Sequence, residues 1–300
     1  MRIDPQFTQG LVGALNQTTA NEQQLTTEMA TGVMVNSLSD NPVAAGQDYL
    51  LRTSQGVNDN FVQTAGGVES KLQVTDTALG SVVTQITQAI SLATEGNNGT
   101  LNAGNLQSIA NQLGGIRSEI LALANTSYQG QFLFSGSQTS TSPFSLDTSA
   151  TPNAVIYSGD GIQETLESPT GQNFNTNLPG DQVFGSGSIG IMATLSNLIA
   201  EFSSGAPSGA SIADVGALAT DLQTVSQQRV TIDNSLTALQ SSSTYAQNQT
   251  VQLQSAQNTL IQTDPTQVAT QLSATETQHT ALIDMIASLD QQPTLFDVLK

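Results

Sequence analysis

Apolar residues recur along much of this chain at alternating steps of three and four. That spacing keeps one helix face turned toward a neighbour packed at a shallow angle. The clearest run is Phe61, Ala65, Val68, Leu72, Thr75, Leu79, Val82, Ile86, Ala89 and Ala93, unbroken from end to end. Proline is absent from Val43 to Ala93, so one long helix is predicted there. Ser39-Asp40-Asn41-Pro42 marks its start, because Asp or Asn caps free amides and proline suits a first helical turn. Gly96-Asn97-Asn98-Gly99 marks its end.

A second helix carries Leu106, Ile109, Leu113, Ile116, Ile120 and Leu123. The short connection predicts an antiparallel hairpin with the first. Upstream, Leu11, Leu15, Thr18, Glu22, Leu25 and Met29 form a weaker seam, interrupted by two polar residues. The last third mirrors this. Val215, Leu218, Leu222, Val225, Arg229, Ile232, Leu236 and Leu239 step correctly, with Arg229 as the one charge. The seam fades through Gln- and Ser-rich sequence, retaining Ala246, Leu253 and Leu260. It restarts after Thr263-Asp264-Pro265 with Val268, Leu272, Thr275, His279, Leu282, Ile286 and Leu289.

Between residues 131 and 190 the texture changes to Gly, Ser, Thr and Pro. Strands are predicted at Gln131–Phe134, Ala154–Tyr157 and Gln163–Leu166, separated by turns such as Ser158-Gly159-Asp160-Gly161 and Leu178-Pro179-Gly180. A short helix follows around Ile191, Leu195, Leu198 and Phe202, then a loop over Ser203–Ser211. The fold class expected is mainly α, with long antiparallel heptad-patterned helices from both termini and a small β-rich insertion at the tip. The terminal seams are the weakest. The terminal segments are therefore expected to be marginal alone, with the first and last ~40 residues disordered in the isolated monomer until partners complete their seams.

Composition narrows the chemistry. The 300 residues carry 24 acidic and 6 basic side chains, net −18, yet only 10% are charged. Ser, Thr, Asn and Gln make up about two-fifths of the chain. There is no cysteine or tryptophan, and His279 is the one histidine. Disulfides, thiolate metal sites, cysteine nucleophiles and two-histidine mechanisms are excluded. Scattered basic residues make no patch for nucleic acid or an anionic membrane. The N-terminus lacks the apolar core of a Sec signal, and no stretch is long and apolar enough to span a membrane. The expectation is a soluble chain, either cytoplasmic or exported without a cleaved signal.

No active site emerges, and no catalytic residue, cofactor or metal is expected. His279 reads as a packed seam residue. Ser158-Gly159-Asp160-Gly161 lacks the regular ligands of a calcium loop and reads as a tight turn. Asn98-Gly99-Thr100 and Asn125-Thr126-Ser127 match the glycosylation acceptor pattern, which means little without a Sec signal.

Several segments carry a family resemblance. Leu38-Ser39-Asp40-Asn41-Pro42-Val43-Ala44-Ala45-Gly46 resembles the turn after the first helix in the bacterial flagellin superfamily. Residues 125–136, Asn-Thr-Ser-Tyr-Gln-Gly-Gln-Phe-Leu-Phe-Ser-Gly, are similar to the entry into the outer domain of its hook–filament junction proteins. Tyr157-Ser158-Gly159-Asp160-Gly161, Asn177-Leu178-Pro179-Gly180, the Asp264-Pro265 start and the ending Leu295-Phe296-Asp297-Val298-Leu299 fit the same subfamily.

The resemblance implies a structural, non-enzymatic subunit of the bacterial flagellum. Such a chain would leave unfolded through type III export and polymerise into a ring at the hook. The first hook-associated protein would lie on one side and flagellin on the other, and an export chaperone would hold the C-terminal helix. The implied layout is an inner-tube domain of 1–42 and 262–300, a long-helix bundle of 43–130 and 191–261, and an outer β-rich domain of 131–190. Leu11, Leu15, Leu25, Met29, Val268, Leu272, Leu282, Ile286 and Leu289 are the expected assembly residues on the terminal helices. A filament flagellin is the alternative within the superfamily. A helical-scaffold binding protein or enzyme is the alternative outside it.

Overall fold

A computed structural model describes residues 5–149 and 152–290, and its contacts divide the chain into two units. One unit holds residues up to 56 and from 249 onward; the other spans 57–248.

In the first unit, α1 (Pro5–Thr31) packs against α7 (Pro265–Asp290). Gly32 ends α1 in the left-handed region at φ 70°, its N–H bonded to the Glu28 carbonyl at 2.8 Å. The chain is then clipped to the segment before α7. Met34 N–H donates to the Ile261 carbonyl at 2.7 Å, and Thr263 N–H to the Gly32 carbonyl at 3.1 Å. The end of α1 thus meets the start of α7. Asp264 caps α7 by accepting from the Thr266 amide at 2.8 Å.

The expected start of the long helix is resolved residue by residue. Asn41 is its cap, its Oδ1 accepting from Ala44 N–H at 3.1 Å. Asp40 instead folds the preceding turn, accepting from the amides of Asn36 (3.0 Å) and Ser37 (2.8 Å). Those bonds, with the Ser37 hydroxyl foremost, hold its carboxyl below the ordinary range. Helix α2 runs Pro42–Gly96 without a break.

The second unit is built on α2 beyond residue 57, α3 (Ala103–Ala124), α5 (Ile191–Ser203) and α6 (Gly209–Ile261) up to residue 248. One hydrophobic core takes Leu79, Val82 and Ile86 from α2 and Leu113 and Ile120 from α3. From α5 and α6 it takes Leu195, Leu198, Phe202, Leu218 and Val225. Each such leucine removed from water contributes about 2 kcal/mol before entropy is charged against it. Thr75, on the expected seam, is only 2% exposed. Its hydroxyl donates to the Lys71 carbonyl one turn back at 2.9 Å, which is how a polar residue occupies a buried seam. Gly96 is required by packing: a Cβ there would lie 2.7 Å from the Phe202 ring.

Between α3 and α5 lie three two-stranded antiparallel hairpins and a four-residue helix, α4 (Asp181–Phe184). The hairpins are β1 (Ser127–Tyr128) with β2 (Gln131–Phe132), β3 (Phe144–Asp147) with β4 (Ala154–Tyr157), and β5 (Thr165–Glu167) with β6 (Asn173–Asn175). β4 has its expected bounds. β2 stops two residues short because Leu133 and Phe134 turn into the core, at 2% and 0% exposure. β1 and β6 are too short and too polar to show as strand patterns, and β3, though it alternates as Phe-Ser-Leu-Asp, was not expected. The expected loop over Ser203–Ser211 yields to α6 at Gly209, and α6 continues through the Gln- and Ser-rich stretch to Ile261.

Candidate assembly interface

The residues expected on the terminal helices fall into three groups. Val268 is buried at 2% exposure. Leu11, Leu15 and Leu25 of α1 are half-buried, as are Leu272, Leu282 and Ile286 of α7. Met29 is 49% exposed, and Glu28 takes the inward place beside it at 6%. The α1 seam takes a step of three there where four was expected. Glu28 remains satisfied because the Gln24 amide donates to its Oε1 at 3.0 Å. The side chain of Leu289 and the ending at residues 295–299 lie outside the described residues. Thr18 is buried, donating to the Ala14 carbonyl at 2.9 Å, and His279 is half-buried on the α7 seam.

Two helices leave most of their larger apolar side chains only half covered. Between α1, the turn after it and α7 runs a groove of about 590 Å³, lined in part by Leu25, Glu28, Met34, Asp40 and Thr275. A pair of helices alone cannot enclose a dry core, so this arrangement suits completion by further helices.

In the second unit, the segments that carry the family resemblance converge on one tyrosine. The Tyr157 hydroxyl lies 3.0 Å from the Phe134 carbonyl and 2.9 Å from that of Asp160, and accepts from Gly180 N–H at 3.3 Å. Burial, with Asp181 and Asp160 nearby, pushes it up to about 12. Asp160 accepts from the amides of Ser137 (2.8 Å) and Ile162 (3.2 Å) and from the Ser137 hydroxyl, so its oxygens are committed to a turn. Asn177 donates to the carbonyls of Gly136 (3.3 Å) and Ile162 (3.0 Å). Glycine is obligatory in this knot. At Gly136 (φ 68°) a Cβ would stand 2.2 Å from the Asp160 carbonyl, and at Gly180 2.7 Å from that of Phe134. The knot is a structural clasp.

Other polar groups are likewise occupied in holding the fold. The Asn125 side chain accepts from Phe144 N–H at 3.0 Å and donates to its carbonyl at 2.8 Å, stitching β3 to the end of α3. Glu201 accepts from the Ser208 amide and hydroxyl ahead of α6. Burial, with Glu201 beside it, raises Asp214. Arg117 donates to the Ser196 hydroxyl at 3.0 Å, and burial lowers its guanidinium. Asp221 is pushed up to about 6 by burial, and its Oδ2 has no hydrogen-bond partner. Sequence periodicity did not single it out. Among the described residues, no three potential metal ligands cluster, and no helix is long and apolar enough to cross a membrane.

Comparison with known proteins gives this geometry its context. Residues 8–139 match the bacterial flagellin N-terminal helical region. Flagellar hook-associated protein 3 of Salmonella typhimurium is 30% identical over 189 residues, covering 62% of this chain and 57% of that protein. The Escherichia coli protein of the same name is 30% identical over 172 residues, covering 50% and 54%. The matched part thus spans little more than half the length of these curated relatives. A solved Vibrio parahaemolyticus structure assigned to flagellar hook-associated proteins superimposes with a TM-score of 0.65 at 20% identity, covering 74% of this chain and 99% of that one. Over residues 8–139 this chain is therefore similar to the bacterial flagellin N-terminal helical region, and its fold is similar to that of the Vibrio parahaemolyticus structure.

Proposed function

We propose that this chain is a structural subunit of the bacterial flagellum that forms the hook–filament junction and adapts the hook to the flagellin filament. The observation that carries the reading is the shared name of the two curated relatives, both flagellar hook-associated protein 3. The half-covered α1–α7 pair supports it, because such a pair gains from neighbours that complete its seams. In this reading the expected terminal residues line contacts between subunits in a ring. The first hook-associated protein lies on one side and flagellin on the other. An export chaperone protects the C-terminal helix before the chain is exported.

Deletion of the chain tests this directly. Electron microscopy of the flagella should show bare hooks, with flagellin released into the medium as monomer. Bare hooks with no flagellin anywhere would make this chain the filament subunit. Intact filaments would overturn both flagellar roles.

A further inference from the structure

We propose that the turn between α2 and α3 is a covalent modification site, where Asn98 loses its side-chain amide as ammonia through a cyclic imide formed with Gly99. Asn98-Gly99 is the one Asn-Gly step in the chain. A side chain on the following residue crowds the attacking backbone nitrogen, and glycine has none. The surroundings are open too. Both residues are exposed, and a Cβ at Gly99 would meet nothing within 4 Å. The turn is anchored on either side of that nitrogen. Asn98 N–H donates to the Glu95 carbonyl at 3.0 Å, and Leu101 N–H to the Asn98 carbonyl at 3.2 Å. The Ser211 hydroxyl of α6 lies 2.5 Å from Asn97 Oδ1. Among the described residues, nothing accepts from the Gly99 N–H. The Thr100 hydroxyl donates to Asn98 Oδ1 at 3.1 Å, which draws electrons from Cγ and stabilises the oxyanion that forms there.

The step balances with water alone. Hydroxide takes the Gly99 amide proton, and the nitrogen attacks Asn98 Cγ. The new N–Cγ bond closes the imide, the Cγ–Nδ2 bond breaks, and ammonia leaves carrying a proton from water. Water then opens the imide at either carbonyl, leaving aspartate or isoaspartate at position 98. Nothing is oxidised or reduced. Neighbouring chemistry elsewhere lacks this opening. Asp160-Gly161 presents an ionised carboxylate, a poor electrophile, already taken by the amides of Ser137 and Ile162. Asn125 and Asn177 precede bulkier residues, and their side chains are bonded to backbone groups. Conversion places a carboxylate two residues beyond the end of α2, where the helix dipole disfavours negative charge. Isoaspartate also lengthens the backbone of the turn by a methylene. The inference is independent of the proposed assembly role.

The purified full-length chain, aged at mildly alkaline pH and mapped by peptide mass spectrometry, tests this. Residue 98 should convert to the acid, faster as hydroxide rises, and isoaspartyl methyltransferase should label the product. In the converted chain the Leu101 amide, bonded to the carbonyl of residue 98, should exchange faster. Gly99 lies outside the left-handed region, so Gly99→Ala fits the turn. That change should slow conversion at least tenfold while circular dichroism and Tm stay unchanged. Thr100→Val should slow it severalfold. A residue 98 that stays an amide, or converts no faster than Asn102 or Asn153, would overturn the inference. So would a Gly99→Ala chain that keeps the parent's rate. A Thr100→Val chain at the parent's rate would overturn the activating role of its hydroxyl.

Discussion

Arg229 on α6 grips Asp76 on α2 through two bonds, Nε to Oδ1 at 2.8 Å and Nη2 to Oδ2 at 3.1 Å. Both side chains are partly open, at 34% and 24% exposure. The pair therefore sits between a weak surface bridge and a costly buried one, and its bidentate geometry fixes the register of the two helices. Gly80 lies under the guanidinium, where a Cβ would stand 3.5 Å from Cζ. Asp76→Ala should lower stability by about 1–2 kcal/mol in urea unfolding. Arg229→Met added to it should recover part of that loss, because the unpaired cation is then removed.

Tyr157→Phe deletes the hydroxyl that joins residues 134, 160 and 180. The expected cost is about 1–2 kcal/mol, as the one hydroxyl proton shared between the Phe134 and Asp160 carbonyls is lost, while the Phe134 carbonyl keeps the Gly180 N–H at 2.9 Å. Gly180→Ala should cost more, because its methyl group would meet the Phe134 carbonyl and the Phe144 ring. Amide hydrogen exchange should place both effects in the β-hairpin region and leave α2 protected.

Asp221 binds its proton more tightly folded than unfolded, since burial lifts it from 3.8 to about 6. Its contribution favours the folded state below about pH 4 and is lost as pH rises through about 6. At pH 7.5, Asp221→Asn should therefore stabilise by about 1–2 kcal/mol, less than a dry site would give, because the residue is partly open to solvent. At pH 4 the gain should largely vanish. Urea midpoints at the two pH values measure the difference, and an equal gain at both would contradict the assignment.

Leu282→Asp or Ile286→Asp places a charge on the half-buried seam of α7. Either change should reduce hook-bound protein and chaperone binding at least tenfold while the second unit keeps its Tm, because an unpaired charge on a packed seam costs several kcal/mol. Normal filaments on cells carrying either variant would refute this.

The helices were legible because burial imposes a period on their side chains. The run from Phe61 to Ala93 predicts the buried face of α2 in detail: Ala65, Leu79, Val82, Ile86, Ala89 and Ala93 are all at 0% exposure. Caps at Asn41 and Asp264 were visible because short polar side chains beside proline have a local job to do. The turn from Glu28 to Met34 was less legible. A carboxylate faces inward there, held by a glutamine one turn away, and no periodic rule anticipates that exchange with Met29.

The site residues divide along the same line. Local chemistry along the chain was enough to specify long helices, the capped starts of α2 and α7, a charge-poor acidic composition and the absence of thiol chemistry. Tertiary structure decided that α1 and α7 cover each other only halfway, and that segments 20 to 40 residues apart close on Tyr157. It also decided that Asp221 is buried without a partner for one oxygen, and that Val43 and Leu50 face outward while Ala44 is covered. The reason is physical. Helix period and capping depend on residues within a few positions of one another. Burial of a single carboxylate, or exposure of a single leucine, depends on which distant segment arrives beside it.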